Sequence, residues 1–329
     1  MRVRTVPVQP HCFLYGGFDI QMDRTHQVLQ SVGIDARPLD WWARDEEFEI
    51  LHVWGLEPQH QNLVRIAKKY GKKIALTPLL AYYTPMGRLR HAGGVILGRR
   101  RAAMEILSNI DVLLVVNQLQ AESAIKLFGV PARLIEVIPT ILDPLFFDTT
   151  PVAAPPDAPV RYAVCAGNIW PRKNQVRMAQ AALQAGVSMV FVGNTMGGEE
   201  AYAAEFQCLI EANPSLQWHK WLSWPDLYRT LRHASAIVLP SFGECQPASG
   251  LEAVALQKPL LLANKPYAHQ EFYQGALTVD ASSVASISSG LKRLIDDPAH
   301  YTPKRELVDA CHPSVVALRL RSIFERLLA

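Results

Sequence analysis

The sequence predicts an α/β protein with two doubly wound domains, each built around a mostly parallel sheet. Three observations carry this prediction. The chain of 329 residues is long enough for two domains of ordinary size. In both halves, short apolar runs alternate with stretches of helical periodicity. Between the halves lies a proline-rich stretch, TTPVAAPPDAP, at residues 149–159.

The apolar runs predict the strands, and the stretches between them predict the helices. Candidate strands are HCFLY, FEILHVW, KKIALTP and VLLVVN in the first half, and VRYAVCAG, VSMVFVG, LQWHKWL, SAIVLPS and PLLLAN in the second. Helices are expected near 24–31 and over 60–70, 119–128, 174–185, 199–212 and 225–233. The tail from Ser314 to Leu328 predicts an amphipathic helix with Ser314 as its N-cap.

The proline-rich stretch sets the expected domain boundaries, because proline fixes φ and has no amide proton for a helix or a central strand. We expect a Rossmann-like domain over residues 1–150, a linker over 151–160 and a second Rossmann-like domain over 161–312. The helix over 313–329 is expected to pack back toward the first domain.

Composition excludes several classes of protein. Hydrophobic residues at 49% exclude a mostly disordered chain, and a net charge of +3 is too small to indicate nucleic-acid binding. The five cysteines are scattered without a Cys-x-x-Cys pair, which argues against a disulfide framework or a structural zinc site. Neither a P-loop nor the glycine pattern of dinucleotide-binding folds occurs, and neither an Asp-x-Asp pair nor a metal-binding histidine spacing is present. We therefore expect no cofactor and no metal.

Location follows from what the sequence lacks. No apolar run approaches the roughly 18 residues of a spanning helix. The N-terminus has no apolar core of a signal peptide. A cytoplasmic protein is expected, one that can associate peripherally with the inner face of a membrane.

The loop after VRYAVCAG carries the first candidate site. Here Arg172 and Lys173 come directly before a predicted helix. Two adjacent cations at a helix N-terminus favour binding of an anion such as phosphate, because free amides and the helix dipole reinforce the charges. The alternative is a solvated pair on a surface loop, with Asn174 as an ordinary cap.

The loop after SAIVLPS carries two carboxylates, Glu244 and Glu252, eight positions apart. Glu244 would lie in the loop and Glu252 in the first turn of the following helix, both near the carboxyl end of the strand. Ligand binding is one interpretation. The other is that Ser249 and Glu252 form a capping box, and that Glu244 is merely solvated.

Two features of the first half also invite interpretation. Gly16 and Gly17 precede a helix, where glycine lets a ligand approach the backbone, although a tight turn explains them equally well. Residues 58–104 contain ten Lys or Arg and no Asp or Glu, mixed with apolar residues. Such a segment suits an anionic membrane surface or an acidic acceptor, or it is a solvated basic face.

With these loops assembled, the chain resembles glycosyltransferase family 4, whose members are retaining enzymes of the GT-B fold. The resemblance is best over residues 108–290. AGNIWPRKN resembles the loop that binds the donor phosphates, and the stretch around FGECQPASGLE resembles the family's E-x7-E segment. The family fold, two Rossmann-like domains facing each other across a cleft, matches the domain organisation expected above.

The resemblance implies a nucleotide-diphosphate sugar, UDP- or GDP-linked, as the co-substrate. It assigns catalytic roles to Arg172 and Lys173, which would hold the diphosphate, and to Glu244, which would contact the transferred sugar. The first domain would lie on the acceptor side and the second would bind the nucleotide sugar. The donor-binding residues would be Gly16, Gly17, Asn168, Gly193, Asn194, Trp221, Leu222, Gln246, Ser249, Gly250 and Glu252.

The sequence also departs from the family pattern. Asn168 stands where a second phosphate-binding arginine is common, and Cys245 and Gln246 begin the stretch that is usually glycine-rich. The histidine that often follows the third strand is missing, and Tyr82 or Tyr83 would line the acceptor cleft instead.

We therefore expect a metal-independent, retaining, hexosyltransferase-type enzyme that acts on a glycan, a glycolipid or another acceptor in bacterial surface-polysaccharide assembly. Two other functions fit the same residues. One is a catalytically degraded glycan-binding or scaffold subunit, and the other is a nucleotide-sugar epimerase or hydrolase of similar fold.

Overall fold

The computed structural model describes residues 1–12, 16–78, 80 and 96–329, and for residues 96–99 the backbone alone. The chain forms two compact units. Unit 1 comprises Met1–Ile141 together with Ala310–Ala329, and unit 2 comprises Leu142–Asp309.

Unit 1 is a six-stranded parallel sheet with helices. Its strands are β1 (Arg2–Val6), β2 (Asp35–Pro38), β3 (Ile50–Trp54), β4 (Lys73–Thr77), β5 (Val112–Val115) and β6 (Ile135–Val137). Its helices are α1 (Gly17–Ser31), α2 (His60–Lys69), α3 (Ile96–Ser108), α4 (Gln118–Phe128) and, at the end of the chain, α10 (Pro313–Leu328). The strand order is β2-β1-β3-β4-β5-β6, so the direction of winding reverses between β1 and β3.

Unit 2 is a second six-stranded parallel sheet. Its strands are β7 (Ala163–Ala166), β8 (Met189–Val192), β9 (Leu216–His219), β10 (Ala236–Leu239), β11 (Leu260–Ala263) and β12 (Leu277–Val279). Its helices are α5 (Gln175–Ala185), α6 (Glu200–Glu211), α7 (Trp224–His233), α8 (Ala248–Ala255) and α9 (Val284–Asp296). The order β12-β11-β10-β7-β8-β9 is that of nucleotide-binding Rossmann folds, and the winding reverses between β7 and β10.

The C-terminal helix is part of the hydrophobic core of unit 1. Val316, Leu320 and Phe324 on one face of α10 are buried with Val3 and Ile50 of the sheet. Apolar residues at helical spacing predicted this helix correctly, but its N-cap is His312, whose ring nitrogen accepts from the amide of Ser314. The predicted cap at Ser314 is wrong because the helix begins at Pro313, which places the N-cap two residues before Ser314.

The five helices predicted over 60–70, 119–128, 174–185, 199–212 and 225–233 are confirmed to within one residue at each end. The helix expected near 24–31 is the second half of α1, which begins at Gly17. Residues 151–160 contain neither helix nor strand, and the division between the units falls at Ile141 and Leu142.

The predicted first strand is wrong. His11 and Cys12 of HCFLY lie in a turn, residues 13–15 are outside the described part, and the first strand is β1. The apolar periodicity also missed the short strands β2, β6 and β12. In β1 the signal is hidden because two of its five residues are arginines, although Arg4 is 1% exposed.

Candidate active site

The candidate site lies in unit 2, where the loops after β7 and β10 leave adjacent strands. These two strands flank the point at which the winding reverses. The connections on either side turn away from each other there, which leaves room for a ligand beyond the carboxyl ends of the strands. Arg172 and Lys173 follow β7, and Glu244 follows β10.

Asn174 fixes the loop after β7 in place. The residue is 1% exposed and has a left-handed φ of 66°, which asparagine tolerates better than most residues. Its side-chain amide donates to the carbonyl of Pro240 at 3.1 Å and to that of Ala281 at 2.8 Å. The amide of Phe242 in turn donates to the carbonyl of Arg172 at 2.8 Å. Asn174 is therefore a structural tie between three loops, which the predicted role of an ordinary cap did not include.

Glu244 joins both cations of the loop. Its Oε1 lies 2.6 Å from Lys173 Nζ, and its Oε2 lies 3.2 Å from Arg172 Nη1. The same Arg172 nitrogen also donates to the carbonyl of Gly243. The Glu244 side chain is 7% exposed, against 19% for Lys173 and 38% for Arg172. The alternative of a solvated Arg-Lys pair and a solvated glutamate is therefore wrong.

The carboxylate of Glu244 stays ionised in this setting. Burial is the largest influence on its pKa and raises it, because a charge is costly in the interior. The charges of Lys173 and Arg172 outweigh that effect and hold the pKa below its ordinary value. One buried anion thus faces two cations, which leaves a net positive charge at the mouth of the site.

Trp170 supports the guanidinium of Arg172. The guanidinium carbon lies 4.7 Å from the centre of the indole ring, a distance at which a cation is attracted to the ring face. The indole Nε1 donates to Glu199 Oε1 at 3.2 Å, which orients the ring. The sequence analysis did not predict this contact between Trp170 and Arg172. The one signal for it is that Trp170 lies in the same loop.

The second carboxylate, Glu252, lies inside α8 and is 4% exposed. The capping box proposed for Ser249 and Glu252 is wrong, because α8 begins at Ala248 with Pro247 at its N-cap position. Ser249 instead donates to the carbonyl of Ala166 at the end of β7, at 3.1 Å. Gly250 packs so tightly on Tyr273 that an added Cβ would lie 3.0 Å from its ring.

The loop after β8 crosses the loop after β7 at very short range. Gly193 has a φ of 145°, and a Cβ there would lie 2.3 Å from the carbonyl oxygen of Gly167. The carbonyl of Asn194 accepts from the amide of Ile169 at 2.8 Å, and the side-chain amide of Asn168 lies 3.3 Å from the sulfur of Met196. This edge of the sheet thus brings together Gly193, Asn194 and Asn168, as a shared site requires.

The remaining candidates of unit 2 differ in exposure. Trp221 is 79% exposed and Leu222 is half-buried, both just beyond β9, whereas Gln246 is buried. A buried tyrosine was missed by sequence reasoning: the Tyr267 hydroxyl donates to the carbonyls of Leu239 and Ser241, both at 3.1 Å, and so ties down the start of the Glu244 loop.

Gly16 and Gly17 lie in unit 1, at the start of α1. Gly16 is the N-cap residue, and its amide donates to Asp19 Oδ2 at 2.8 Å. Among the described residues, no atom lies within 4 Å of a Cβ added at either glycine.

Part of the basic stretch falls outside the described residues, including Arg88, Arg90, Tyr82 and Tyr83. In the described part of it, Lys68 is paired with Asp111 at 2.7 Å, and the ammonium of Lys72 lies over the ring of Phe48. No helix among the described residues is long and apolar enough to cross a membrane. Within the same residues, no cluster of three or more His, Cys, Asp or Glu side chains suited to a metal ion is found.

Residues 149–308 match the model of a family described as glycosyl transferases group 1. No curated protein matches the chain by sequence.

Solved structures extend the similarity to the whole chain. Sucrose-phosphate synthase from Thermosynechococcus elongatus is similar with a TM-score of 0.72 and 15% identity, covering 99% of both chains. A glycosyltransferase from Rickettsia africae has a TM-score of 0.70 at 12% identity, covering 99% of this chain and 98% of its own. The lipopolysaccharide outer core galactosyltransferase WaaB has a TM-score of 0.65 at 13% identity, covering 99% of this chain and all of its own.

At these identities the solved structures establish the fold. The family match concerns residues 149–308 alone. The chain therefore has the GT-B fold of glycosyltransferases, with a glycosyl transferases group 1 sequence over residues 149–308.

Proposed function

We propose that this protein is a retaining glycosyltransferase that moves a sugar from a nucleotide-diphosphate sugar, UDP- or GDP-linked, to a glycan, a glycolipid or another acceptor. The observation that carries the proposal is the group formed by Arg172, Lys173 and Glu244 where the winding of the unit 2 sheet reverses. The group 1 family match over the same residues supports it.

The chemistry that such a group can perform is stabilisation of a leaving group. When the bond between sugar and diphosphate breaks, negative charge grows on the departing phosphate oxygen. Arg172 and Lys173 lie side by side in a loop that Asn174 and the Phe242 amide fix in place, so they can stabilise that charge. The proposal needs no metal for this step, because the two side chains supply the positive charge.

Retention of configuration follows if the acceptor hydroxyl attacks from the side on which the diphosphate departs. The departing phosphate oxygen can then take the proton of that hydroxyl. The reaction forms the new glycosidic bond, breaks the sugar–phosphate bond and releases the nucleoside diphosphate. A strong protein base is not required by this route.

Glu244 has a second role in the proposal. Its carboxylate occupies the two cations that would bind the diphosphate. An arriving diphosphate therefore competes with Glu244, and the displaced carboxylate becomes available to accept hydrogen bonds from the hydroxyls of the transferred sugar. Donor binding and sugar recognition are coupled by this exchange.

The other donor contacts are assigned by position. Glu252 is proposed to accept hydrogen bonds from the ribose hydroxyls, and the base to rest near Trp221 and Leu222. The remaining assignments are Asn168, Gly193 and Asn194 beside the nucleotide, Gln246, Ser249 and Gly250 beside the sugar and phosphates, and Gly16 and Gly17 as a glycine-rich loop facing the diphosphate.

The acceptor and the location of the enzyme complete the proposal. We propose a role in bacterial surface-polysaccharide assembly, at the cytoplasmic face of a membrane with which residues 58–104 associate. Flotation with vesicles tests the last point: binding that does not depend on anionic lipid would contradict it.

The decisive experiment is a binding screen with UDP, GDP and other nucleotides by calorimetry, followed by assay of the matching nucleotide sugars. Lys173→Ala and Glu244→Ala should each lower transfer by about a hundredfold or more. Arg229→Ala is the matched control, since Arg229 is an exposed arginine of unit 2 that pairs only with Asp226 among the described ion pairs.

Turnover like that of the wild type in both variants would refute the assignment of the residues. Failure of every nucleotide to bind would refute the enzyme and favour a non-catalytic scaffold.

A further inference from the structure

The connection between β2 and β3 is unusual for a doubly wound sheet. These strands lie on opposite sides of β1, and a crossover of this kind is usually a helix. Here residues 39–49 cross without any helix. We call this segment the strap.

The strap is held to the sheet by ion pairs. Arg4 of β1 is 1% exposed, and its Nε lies 2.5 Å from Glu46 Oε1. Arg2 binds both Glu47, at 2.8 Å, and Glu49, at 2.6 Å. The contact of the buried Arg4 side chain with Glu46 resists displacement more than the exposed Arg2–Glu47 pair does. The strap is therefore a fixed element rather than a loose loop.

At its other end the strap presents two tryptophans to solvent. The amide of Leu39 donates to the carbonyl of Thr5 at 2.9 Å, which fixes the point where the strap leaves the sheet. Trp41 is 66% exposed and Trp42 is 93% exposed. The amide of Trp42 donates to Asp40 Oδ1 at 2.9 Å, which sets the turn that carries both rings. Large exposed aromatic side chains that are adjacent on a turn with a fixed backbone indicate a binding surface.

The polar groups beside the two rings indicate what this surface binds. Asp40, Arg44 and Asp45 are exposed, and the described ion pairs include none of the three. An anionic membrane would be repelled by two carboxylates and attracted by a single arginine. A neutral sugar suits all of these groups: its C–H faces carry a slight positive charge that complements the negative face of an indole, and its hydroxyls bond to carboxylate and guanidinium.

The position of the surface also fits a substrate. Trp41 and Trp42 follow the carboxyl end of β2, and Gly16 and Gly17 follow β1 at the same edge of the sheet. Ligands of doubly wound sheets bind outside this edge.

We propose that Trp41 and Trp42 form a stacking platform for a neutral glycan, with Asp40, Arg44 and Asp45 bonding to its hydroxyls. The bound glycan is the acceptor, an assignment that rests on the proposed function. The strap holds the platform ready, so little conformational entropy is lost on binding.

The test measures binding of cellohexaose, maltohexaose, chitohexaose and mannohexaose to the whole protein by calorimetry, without any donor. The wild type should bind at least one of them, and Trp41→Ala/Trp42→Ala should bind it about tenfold more weakly or worse. Trp41→Phe/Trp42→Phe keeps two aromatic faces and should stay within about threefold of the wild type. Tyr70→Ala is the matched control, because Tyr70 is an exposed aromatic residue of unit 1 outside the strap.

The outcomes separate this inference from the proposed function. Binding to none of the four sugars, equal binding by the double alanine variant, or attachment of the tryptophans to phosphatidylglycerol vesicles instead of sugars would each overturn the platform. Consumption of a nucleotide sugar is measured in parallel. If the wild type binds a glycan through the tryptophans but consumes no nucleotide sugar, the proposed function fails and the platform stands as a glycan site.

Discussion

The two units share an architecture but treat polar groups at the carboxyl edges of their sheets in opposite ways. In unit 2, a buried carboxylate is paired with two cations, and its pKa is lowered. Among the described residues of unit 1, two buried histidines contact hydroxyl groups instead: Thr5 contacts His26 at 2.6 Å, and His52 contacts Thr77 at 2.8 Å.

This difference has a physical meaning. Burial lowers the pKa of His52 to about 3 and also lowers that of His26, because a positive ring loses its hydration in the interior; for His26 this outweighs the opposing influence of Asp23. These two buried histidines of unit 1 are therefore uncharged, whereas unit 2 buries a charged carboxylate. A diphosphate needs charges that are ready in advance, whereas a neutral acceptor does not.

The largest expected effect concerns Glu244. Glu244→Gln removes the carboxylate that competes for Arg172 and Lys173 but keeps the shape of the side chain. Transfer should fall about a hundredfold, while UDP or GDP should bind severalfold more tightly. Calorimetry and steady-state kinetics on the same variant separate the two effects. Weaker nucleotide binding would contradict the exchange between carboxylate and diphosphate.

The second prediction concerns Asn174, which holds together the loops around the charged residues of unit 2. Asn174→Ala removes two buried hydrogen bonds and leaves a left-handed φ to a residue that tolerates it poorly. The free energy of unfolding should fall by about 2–3 kcal/mol. Urea denaturation measures it, and Asn213→Ala, at an asparagine of unit 2 that bonds only locally to Leu209, is the control. Equal losses in both variants would show that Asn174 has no special structural role.

The next prediction concerns how the stability of the protein depends on pH through the buried His52. The folded state keeps this ring neutral down to about pH 3, whereas the unfolded chain takes up a proton near its ordinary pKa of 6.5. Stability is therefore complete above pH 6.5 and is lost as the pH falls below it. Between pH 7.5 and 5.5 the loss from this group should be about 1.4 kcal/mol.

The measurement is urea denaturation of the wild type and His52→Gln at both pH values, and the variant should show a smaller difference between them. Glu244 does not contribute in this window, because its stabilisation is lost only below the ordinary carboxyl pKa of 4.5. An unchanged pH difference in His52→Gln would show that the ring is not the cause.

The smallest expected effect concerns Trp170. Trp170→Phe keeps a ring under Arg172 but loses the hydrogen bond to Glu199, whereas Trp170→Leu loses both. We expect transfer to fall about twofold for phenylalanine and about fivefold for leucine, since a partly exposed cation–π contact contributes about 1 kcal/mol. The loss should appear in kcat with the leucine variant still folded. Equal activity in the wild type and both variants would show that Trp170 does not contribute to the site.

Sequence reasoning succeeded where signals are local. Apolar periodicity located α2, α4 and α10, and the order of cations, helix and paired glutamates located the residues that the structure brings together after β7 and β10. It failed at β1, where Arg4 is buried by partners 42 and 31 positions away. Such pairs leave no periodic trace in the chain, so the strand was not predicted.

The capping box shows the same limit at short range. The pattern at Ser249 and Glu252 is compatible with an N-cap at Ser249. In the structure, however, Pro247 is the N-cap residue and α8 begins at Ala248. The serine hydroxyl then bonds to Ala166 of β7, a partner that no local pattern indicates.

By itself, the sequence determined the fold class, the alternation of strands and helices and the identity of the charged loop residues, because these depend on local periodicity and residue chemistry. Tertiary structure alone decided that Glu244 pairs with both Arg172 and Lys173, that Asn174 ties three loops, and that a strap pinned by Arg4 presents Trp41 and Trp42. These facts depend on which distant groups meet, and that is set by the packing of parallel strands rather than by neighbours along the chain.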